Sequence, residues 1–322
     1  MSNKARILIT RRHLVEIESR LKNDYEIILN EDDHIMSADE IIDLSEGMEA
    51  LFICVTEPLT KETIELLPES VSCILTLSVG TDHIDLDAAK ERGLAVLTTP
   101  GAVTDATAEI GMMLLLGAAR LAHASSQYMR EGNWKLWSPR QFIGVEITKN
   151  RLGIYGMGRI GQTVARRARG FEMSIHYHNR KRLTPELEEK SLYIKSVEEF
   201  LSMSKFLLLS APSTHQTQKF INEDSIKKLP PGAIIVNIGR GDLVDDNALI
   251  NALESGEIAA AGLDVFNGEP TNIDPRYFNL KNVFMMPHIG SAAVGARKNM
   301  GMMLLDGFEA YRAGREVPNR AI

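Results

Sequence analysis

Residues 151–161 read RLGIYGMGRIG, an apolar run followed by a turn with three glycines and by the start of a helical-looking stretch. This order predicts a strand, a tight turn and a helix, with the glycine spacing of dinucleotide-binding folds. Glycines also gather in ordinary turns, so the flanking strand and helix are what favour a nucleotide site. N–H groups at the helix start would face the pyrophosphate. The predicted cofactor contacts here are Gly156, Gly158, Arg159, Ile160 and Gly161.

The second strand predicted for this region, residues 173–177, runs into a basic segment with the sequence HNRKR. Sites for NAD usually carry an acid here, about 20 residues after the glycines, which binds the ribose 2′-hydroxyl. No acid follows this strand, and Arg180 and Arg182, beside Asn179, offer planar donors that suit a 2′-phosphate. The segment therefore predicts NADPH as the preferred cofactor, with NAD(H) as the alternative. A solvated basic loop without a ligand is the simpler interpretation.

The composition restricts the classes of partner. The chain has 322 residues and a formal net charge of −7, which argues against a nucleic-acid partner. No apolar run reaches the roughly 20 residues that span a membrane, and residues 7–9 are too short for a signal-peptide core. Cys54 and Cys73 lie in apolar runs typical of buried, reduced thiols. We expect a cytoplasmic protein with no membrane partner and no metal site.

Short apolar runs alternate with longer amphipathic stretches, which favours parallel sheets covered by helices on both faces. The glycine turn comes late in the chain, so the residues before it predict a separate α/β unit. The uncharged stretch 106–125 predicts one buried helix joining the two halves, and helix 292–311 is expected to return to the first unit. The predicted strands are 6–10, 50–55, 72–77, 94–97, 151–155, 173–177, 206–210, 233–237, 260–263 and 283–286. The other predicted helices are 37–44, 86–92, 160–168, 197–202 and 246–254.

Three polar side chains, Arg240, Glu269 and His288, each follow a predicted strand. Ligands of open α/β sheets bind beyond the carboxyl ends of the strands, so all three fall where a nucleotide would lie. A guanidinium can hold a carboxylate, an imidazole can donate a proton to a carbonyl oxygen, and a carboxylate can orient the imidazole and favour its charged form. The set suits the reduction of a 2-keto acid. Taken singly, they also fit an ion-pairing arginine, a turn before Pro270 and a structural histidine.

Six motifs spread over nearly the whole chain resemble those of the D-isomer-specific 2-hydroxyacid dehydrogenases, most closely the branch of glyoxylate/hydroxypyruvate and 2-ketogluconate reductases. They are LSVGTDHID at 77–85, TPG at 99–101, GIYGMGRIG at 153–161, NIGRG at 237–241, GLDVF at 262–266 and PHIGS at 287–291. The resemblance implies two Rossmann-like, doubly wound parallel-sheet domains. A substrate (lid) domain, 1–99 plus 292–322, would close over an inserted dinucleotide-binding domain, 100–291.

The resemblance also implies roles for individual residues. Arg240 would anchor the substrate, His288 would be the acid/base and Glu269 its partner, in agreement with their chemistry. The backbone at Val79 and Gly80, with Ser291, would bind the substrate. The remaining implied cofactor contacts are Thr104, Ser210, Ala211, Pro212, Ile238, Gly239, Arg240, Asp264, His288 and Gly290.

A Trp-x-x-Trp-x-Pro pattern at 134–139 is shared with the reductase branch. The resemblance implies that Trp137 reaches the active site of the partner subunit in a homodimer, and a core or interface aromatic is the alternative. Two departures stand out: Ala293 replaces the usual threonine, and no acid follows the second strand of the nucleotide region.

The preferred hypothesis is NADPH-dependent reduction of glyoxylate, hydroxypyruvate or a similar small 2-keto acid to the D-2-hydroxy acid. The same chemistry on a sugar acid such as 2-ketogluconate is the second. A non-enzymatic NAD(H)-sensing protein, similar to the C-terminal-binding-protein corepressors, is the third. A formate dehydrogenase is disfavoured because Glu269 is an acid where that enzyme has an amide. A phosphoglycerate dehydrogenase is disfavoured because many carry a further regulatory domain.

Overall fold

Two parallel β-sheets, one of five strands and one of seven, organise the protein. They are seen in a computed structural model that describes residues 4–322. Unit 1 comprises residues 4–103 with Ala292–Ile322, and unit 2 comprises Thr104–Ser291. The predicted α/β class with two doubly wound parallel sheets is confirmed. The lid and nucleotide-binding roles of the two units stay predictions.

In unit 1 the five strands are β1 (Arg6–Ile9), β2 (Glu26–Leu29), β3 (Ala50–Ile53), β4 (Cys73–Thr76) and β5 (Ala95–Leu97). The helices are α1 (Val15–Asp24), α2 (Ala38–Leu44), α3 (Lys61–Leu66), α4 (Leu86–Glu91) and, near the C-terminus, α12 (Val294–Arg312). The strand order is β2-β1-β3-β4-β5. Alternate residues of β1 pack on opposite faces: Ile7 with α1 and α12, and Leu8 with α2, α3 and α4. The sequence analysis missed β2, an edge strand whose apolar residues 27–29 are only partly buried.

In unit 2 the seven strands are β6 (Arg151–Tyr155), β7 (Ser174–His178), β8 (Leu192–Tyr193), β9 (Phe206–Leu209), β10 (Ala233–Asn237), β11 (Ile258–Leu263) and β12 (Val283–Met285). The helices are α5 (Thr104–Ala119), α6 (Ala122–Arg130), α7 (Arg159–Arg169), α8 (Pro185–Glu188), α9 (Val197–Met203), α10 (Glu223–Ile226) and α11 (Asp246–Ser255). Short 3-10 helices cover Gly241–Leu243 and Pro275–Asn279.

The sheet of unit 2 has the order β12-β11-β10-β9-β6-β7-β8, and every neighbouring pair is parallel. Its central strand β9 is buried on both faces, with Phe206 and Leu208 in one apolar cluster and Leu207 and Leu209 in the other. Because all strands run in one direction, the turns that follow them lie along a single edge of the sheet. This carboxyl edge carries most of the predicted cofactor and catalytic residues.

The prediction of a single helix over residues 106–125 was wrong, and its role in joining the two halves stays a prediction. Helix α5 ends at Ala119, Leu121 has a φ of 54°, and α6 begins at Ala122. Helix α5 packs within unit 2 against α7, β10 and β11. Its small residues permit this approach: a Cβ at Gly111 would lie 3.0 Å from Cδ1 of Ile238. The low charge of the stretch therefore reflects packing on its own sheet.

Candidate active site

The glycine turn after β6 has the shape that a bound pyrophosphate requires. Gly156 has a φ of 95°, and a Cβ there would overlap the backbone of Ala211. A Cβ at Gly161 would lie 2.6 Å from the carbonyl oxygen of Gly156. At Gly158, by contrast, a Cβ would meet no described atom within 4 Å, and no side chain caps the N-terminus of α7. Open space therefore faces uncapped backbone N–H groups, which fits the phosphates of a dinucleotide.

The basic segment after β7 separates the two arginines that were predicted to act together. Asn179 Oδ1 accepts a hydrogen bond from the Met157 N–H at 2.6 Å, which ties the segment to the glycine turn. Arg180 is exposed, and its guanidinium makes no hydrogen bond or ion pair with another residue of 4–322. Arg182 instead donates two hydrogen bonds, of 2.7 and 2.9 Å, to the Glu188 carboxylate. Of these two arginines, Arg180 is the one without a partner among residues 4–322.

The turn after β9 closes the other side of the glycine motif. The Ser210 hydroxyl donates to the carbonyl oxygen of Gly156 at 2.7 Å, and Ala211 is buried against the same glycine. Pro212 is exposed, and Thr104, at the start of α5, is half-buried. The predicted cofactor contacts 210–212 thus lie directly beside the glycine turn.

The turn after β10 presents Arg240. The buried Asn237 shapes it: its Oδ1 accepts from the Gly239 N–H at 3.0 Å, and its Nδ2 donates to the carbonyl oxygen of Arg240 at 2.8 Å. A Cβ at Gly241 would overlap the backbone of Phe266, so glycine lets this turn pack against the one that follows β11. Ile238 is buried below. The Arg240 turn is therefore fixed next to the segment that carries Glu269.

His288 and Glu269 form a close pair, with 2.6 Å between Nδ1 and Oε1. The second carboxylate oxygen of Glu269 accepts a hydrogen bond from the Phe266 N–H at 2.8 Å. Both side chains keep access to solvent, at 40% and 26% exposure. A proton on Nδ1 then points at Glu269, which leaves Nε2, on the opposite side of the ring, for a reacting group.

Asp264 supports the His288 turn from below. Its carboxylate, 1% exposed, accepts hydrogen bonds of 2.8 Å from the N–H groups of Ile289 and Gly290. Burial raises the pKa of Asp264, and the two backbone donors act against that shift. Its carbonyl oxygen also accepts from the His288 N–H at 2.9 Å. These bonds hold His288 at a φ of 50°, an uncommon conformation for a residue other than glycine. The sequence analysis placed Asp264 beside the cofactor and missed this supporting role.

The predicted carboxylate-binding loop lies in unit 1, after β4. The Ser78 hydroxyl donates to the carbonyl oxygen of Gly80 at 2.5 Å, and Thr76 Oγ1 lies 2.8 Å from His83 Nε2. Val79 is 46% exposed. The loop is thus braced from within while its backbone stays accessible. Ser291, the other predicted substrate contact, is a half-buried residue of unit 2.

Trp137 lies in an exposed apolar segment of unit 2. It is 71% exposed, Trp134 is 52% exposed and Leu136 is 77% exposed. Trp137 is therefore not a core residue of its own unit.

Comparison with known proteins identifies the family of the chain. The model of the family "D-isomer specific 2-hydroxyacid dehydrogenase, NAD binding domain" matches residues 112–290. The chain belongs to the D-isomer-specific 2-hydroxyacid dehydrogenase family. The predicted family is confirmed, and with it an NAD(P)-dependent oxidoreductase.

Relatives match over nearly their full length. The chain is 44% identical to a glycerate dehydrogenase from Hyphomicrobium methylovorum, covering 98% of each chain. It is 37% identical to a glyoxylate reductase from Pyrococcus horikoshii, covering 98% of this chain and 95% of that one. Among solved structures, an NADPH-dependent glyoxylate/hydroxypyruvate reductase from Sinorhizobium meliloti, in complex with NADP and malonate, superposes with a TM-score of 0.86 at 28% identity, covering 99% and 97%.

These matches support an enzyme that interconverts 2-keto and 2-hydroxy acids with a nicotinamide cofactor. No helix within residues 4–322 is long and apolar enough to cross a membrane.

Proposed function

We propose that this enzyme uses NADPH to reduce a small 2-keto acid, glyoxylate or hydroxypyruvate, to the D-2-hydroxy acid. The observation that carries the proposal is the 2.6 Å pair of His288 and Glu269 on the carboxyl edge of the unit 2 sheet, beside the turn of Arg240. A cation for the substrate carboxylate, a proton donor and a carboxylate that orients the donor are what reduction of a keto acid requires.

In this mechanism Arg240 binds the substrate carboxylate and polarises the keto oxygen through its planar donors. His288 donates the Nε2 proton to that oxygen as negative charge develops on it, and neutral His288 takes the proton back in the reverse direction. Glu269 accepts the Nδ1–H, orients the ring and stabilises its charged form. Asp264 keeps the His288 turn in place. The bound nicotinamide supplies or accepts the hydride.

Three observations support NADPH over NADH. No carboxylate follows β7 at the position where a 2′-hydroxyl is bound in NAD sites, and Arg180 is exposed there without a protein partner among the described residues. The reductase from Sinorhizobium meliloti, described as NADPH-dependent, shares the fold over nearly its whole length.

The relatives favour a short substrate. Glycerate is the 2-hydroxy acid that forms when hydroxypyruvate is reduced, so the 44% identity to a glycerate dehydrogenase favours hydroxypyruvate. Identity to glyoxylate reductases favours glyoxylate.

We further propose a cytoplasmic homodimer. The exposed side chains of Trp134, Leu136 and Trp137 lie close together in sequence, and an apolar surface of this kind is typical of a subunit interface. Trp137 would then contribute to the active site of the partner subunit. Sedimentation of the wild-type protein at twice the 35.8 kDa chain mass tests the assembly.

The decisive experiment is a panel of 2-keto acids, each assayed with NADPH and with NADH. We expect the highest kcat/KM for hydroxypyruvate or glyoxylate with NADPH. Higher kcat/KM for 2-ketogluconate would support the alternative that the enzyme is a sugar-acid reductase. Cofactor binding without turnover of any keto acid would support the nucleotide-sensing alternative, and faster turnover with NADH would contradict the cofactor assignment.

A further inference from the structure

Glu188 is the last residue of the short helix α8. Its side chain is almost buried, and both of its carboxylate oxygens accept hydrogen bonds. It accepts hydrogen bonds from the Tyr177 hydroxyl at 2.7 Å and from Arg182 Nε and Nη2 at 2.7 and 2.9 Å. The Tyr177 oxygen in turn accepts from the Leu183 N–H at 3.0 Å. We call Tyr177, Arg182 and Glu188 the Glu188 clasp.

Within the clasp, the negative charge of Glu188 faces the positive charge of Arg182, and both carboxylate oxygens have hydrogen-bond donors. The two-point contact with Arg182, and then the Tyr177 hydroxyl, lower the pKa of Glu188 to about 2, so the carboxylate is ionised at neutral pH. Its negative charge is compensated by the guanidinium that it binds. An uncompensated carboxylate beside the basic segment would repel a 2′-phosphate bound there.

The clasp anchors the end of the basic segment, and Asn179 anchors its beginning on the glycine turn. The Tyr193 hydroxyl adds a second contact to the Asn179 carbonyl oxygen at 3.3 Å. Only Arg180 and Lys181 lie between these fixed points, and both side chains are exposed. A two-residue span held at both ends has few backbone conformations, so little backbone entropy is lost when its side chains bind a ligand.

We propose that the Glu188 clasp determines cofactor selectivity from a distance: it retains Arg182 and fixes the segment so that Arg180 is the guanidinium that binds the 2′-phosphate. Arg180 is then the phosphate ligand, and Tyr177, Arg182 and Glu188 are positioning residues. The inference rests on the proposed NADPH function and assigns its selectivity to particular side chains.

Binding of two adenosine fragments tests this without turnover: adenosine 2′,5′-bisphosphate, which carries the 2′-phosphate, and 5′-AMP, which lacks it. Arg180→Gln should weaken binding of the bisphosphate about tenfold or more, as expected for loss of a charge-assisted contact. Glu188→Gln and Arg182→Gln should each weaken it by about threefold to tenfold. The variant that carries both Glu188→Gln and Arg182→Gln should bind the bisphosphate no more weakly than the single variant with the lower affinity, because both changes open the same clasp. Binding of 5′-AMP should stay within about twofold throughout.

Glu189→Gln is the matched control. This neighbouring carboxylate pairs with Arg169 at 3.0 Å, outside the basic segment, and should bind both fragments like the wild type. If Glu188→Gln lowers the thermal unfolding midpoint, Tyr177→Phe replaces it in the same binding experiment, because it removes one of the three hydrogen-bond donors to the Glu188 carboxylate.

Three results would overturn the inference. The first is tighter binding of the bisphosphate by Glu188→Gln, since the released Arg182 would then help to bind the phosphate. The second is a loss of bisphosphate affinity in the double variant that equals the sum of the two single losses, and the third is an unchanged preference for the bisphosphate over 5′-AMP in both single variants. A wild-type protein that binds the two fragments equally would instead contradict the NADPH proposal itself, and this inference would fall with it.

Discussion

The two units share one architecture and differ at the carboxyl edge of their sheets. In unit 1 the turn after β3 is filled: the fully buried Glu57 accepts hydrogen bonds of 3.0 Å from the Thr10 hydroxyl and from the Cys54 N–H. In unit 2 the turn after β6 carries Gly156 and Gly158, and the space at Gly158 is open. Parallel sheets of one class therefore become a nucleotide site only where the turn leaves backbone N–H groups uncovered.

The units also each contain a close histidine–glutamate pair. In unit 1 His34 Nε2 lies 3.2 Å from Glu40, but that carboxylate also caps α2 by accepting from the N–H and hydroxyl of Ser37. In unit 2 the carboxylate of Glu269 is oriented by a backbone N–H, and His288 stands on a turn held by Asp264. The same two side chains serve a helix terminus in one unit and suit proton transfer in the other.

The strongest test of this contrast removes each histidine in turn. His288→Ala should lower kcat for keto-acid reduction about 10²- to 10⁴-fold, the range of a lost general acid, with little change in NADPH affinity. His34→Ala should leave kcat within about twofold, because surface changes away from a site are usually near neutral. Steady-state kinetics with hydroxypyruvate measure both. Unchanged turnover in His288→Ala would remove this residue from the mechanism.

The second test fills the space that distinguishes the two edges. Gly158→Val should weaken NADPH binding by about tenfold or more, because the added methyl groups occupy the approach to the backbone N–H groups. Its thermal unfolding should resemble that of the wild type, since the backbone there is extended and a Cβ meets no described atom within 4 Å. Gly156→Ala is the comparison, and it should lose stability as well as binding. Full NADPH affinity in a folded Gly158→Val protein would place the pyrophosphate elsewhere.

The contrast also shows what the sequence could reveal. Patterns within a few residues predicted the glycine turn, six of the seven strands of unit 2 (β8 was missed) and the placement of Arg240, Glu269 and His288 after strands. Contacts between distant segments were not predictable: Asn179 reaches Met157 across 22 positions, and Asp264 reaches Ile289 across 25. The partner of Arg182 is only six residues away, but Glu188 lies in a four-residue helix that is too short to show a periodic pattern.

The third test concerns the turn after β3 in unit 1, which the Glu57 carboxylate fills. Glu57→Ala removes the carboxylate that accepts from the Cys54 N–H and from the hydroxyls of Thr10 and Thr56, which should lower the free energy of unfolding by about 2 kcal/mol. Glu65→Ala, which breaks an exposed contact of 3.8 Å with Lys61, should cost less than about 1 kcal/mol. Urea denaturation measures both. Equal effects would mean that the buried carboxylate contributes nothing beyond a surface ion pair.

The smallest expected effect is the response of both units to acid, because unit 1 contains the partly buried His13 and unit 2 the buried His176. Burial lowers the pKa of His13 in unit 1 and of His176 in unit 2 to about 4. His176 Nε2 lies 2.9 Å from the Ser204 hydroxyl, which donates its own proton to Phe200, so the ring is held neutral with its proton on Nε2.

Unfolding restores an ordinary histidine pKa of about 6.5, so below that pH the unfolded chain takes up protons that the folded chain does not bind until about pH 4. The free energy of unfolding should therefore fall as the pH decreases through this window, by up to about 1.4 kcal/mol per pH unit for each histidine. His176→Gln keeps a donor for Ser204 and removes one titrating group. Its stability measured against pH should fall less steeply than that of the wild type, by about 1 kcal/mol at pH 5.5. Parallel curves for the two proteins between pH 6.5 and 4.5 would show that His176 titrates alike in the folded and unfolded states.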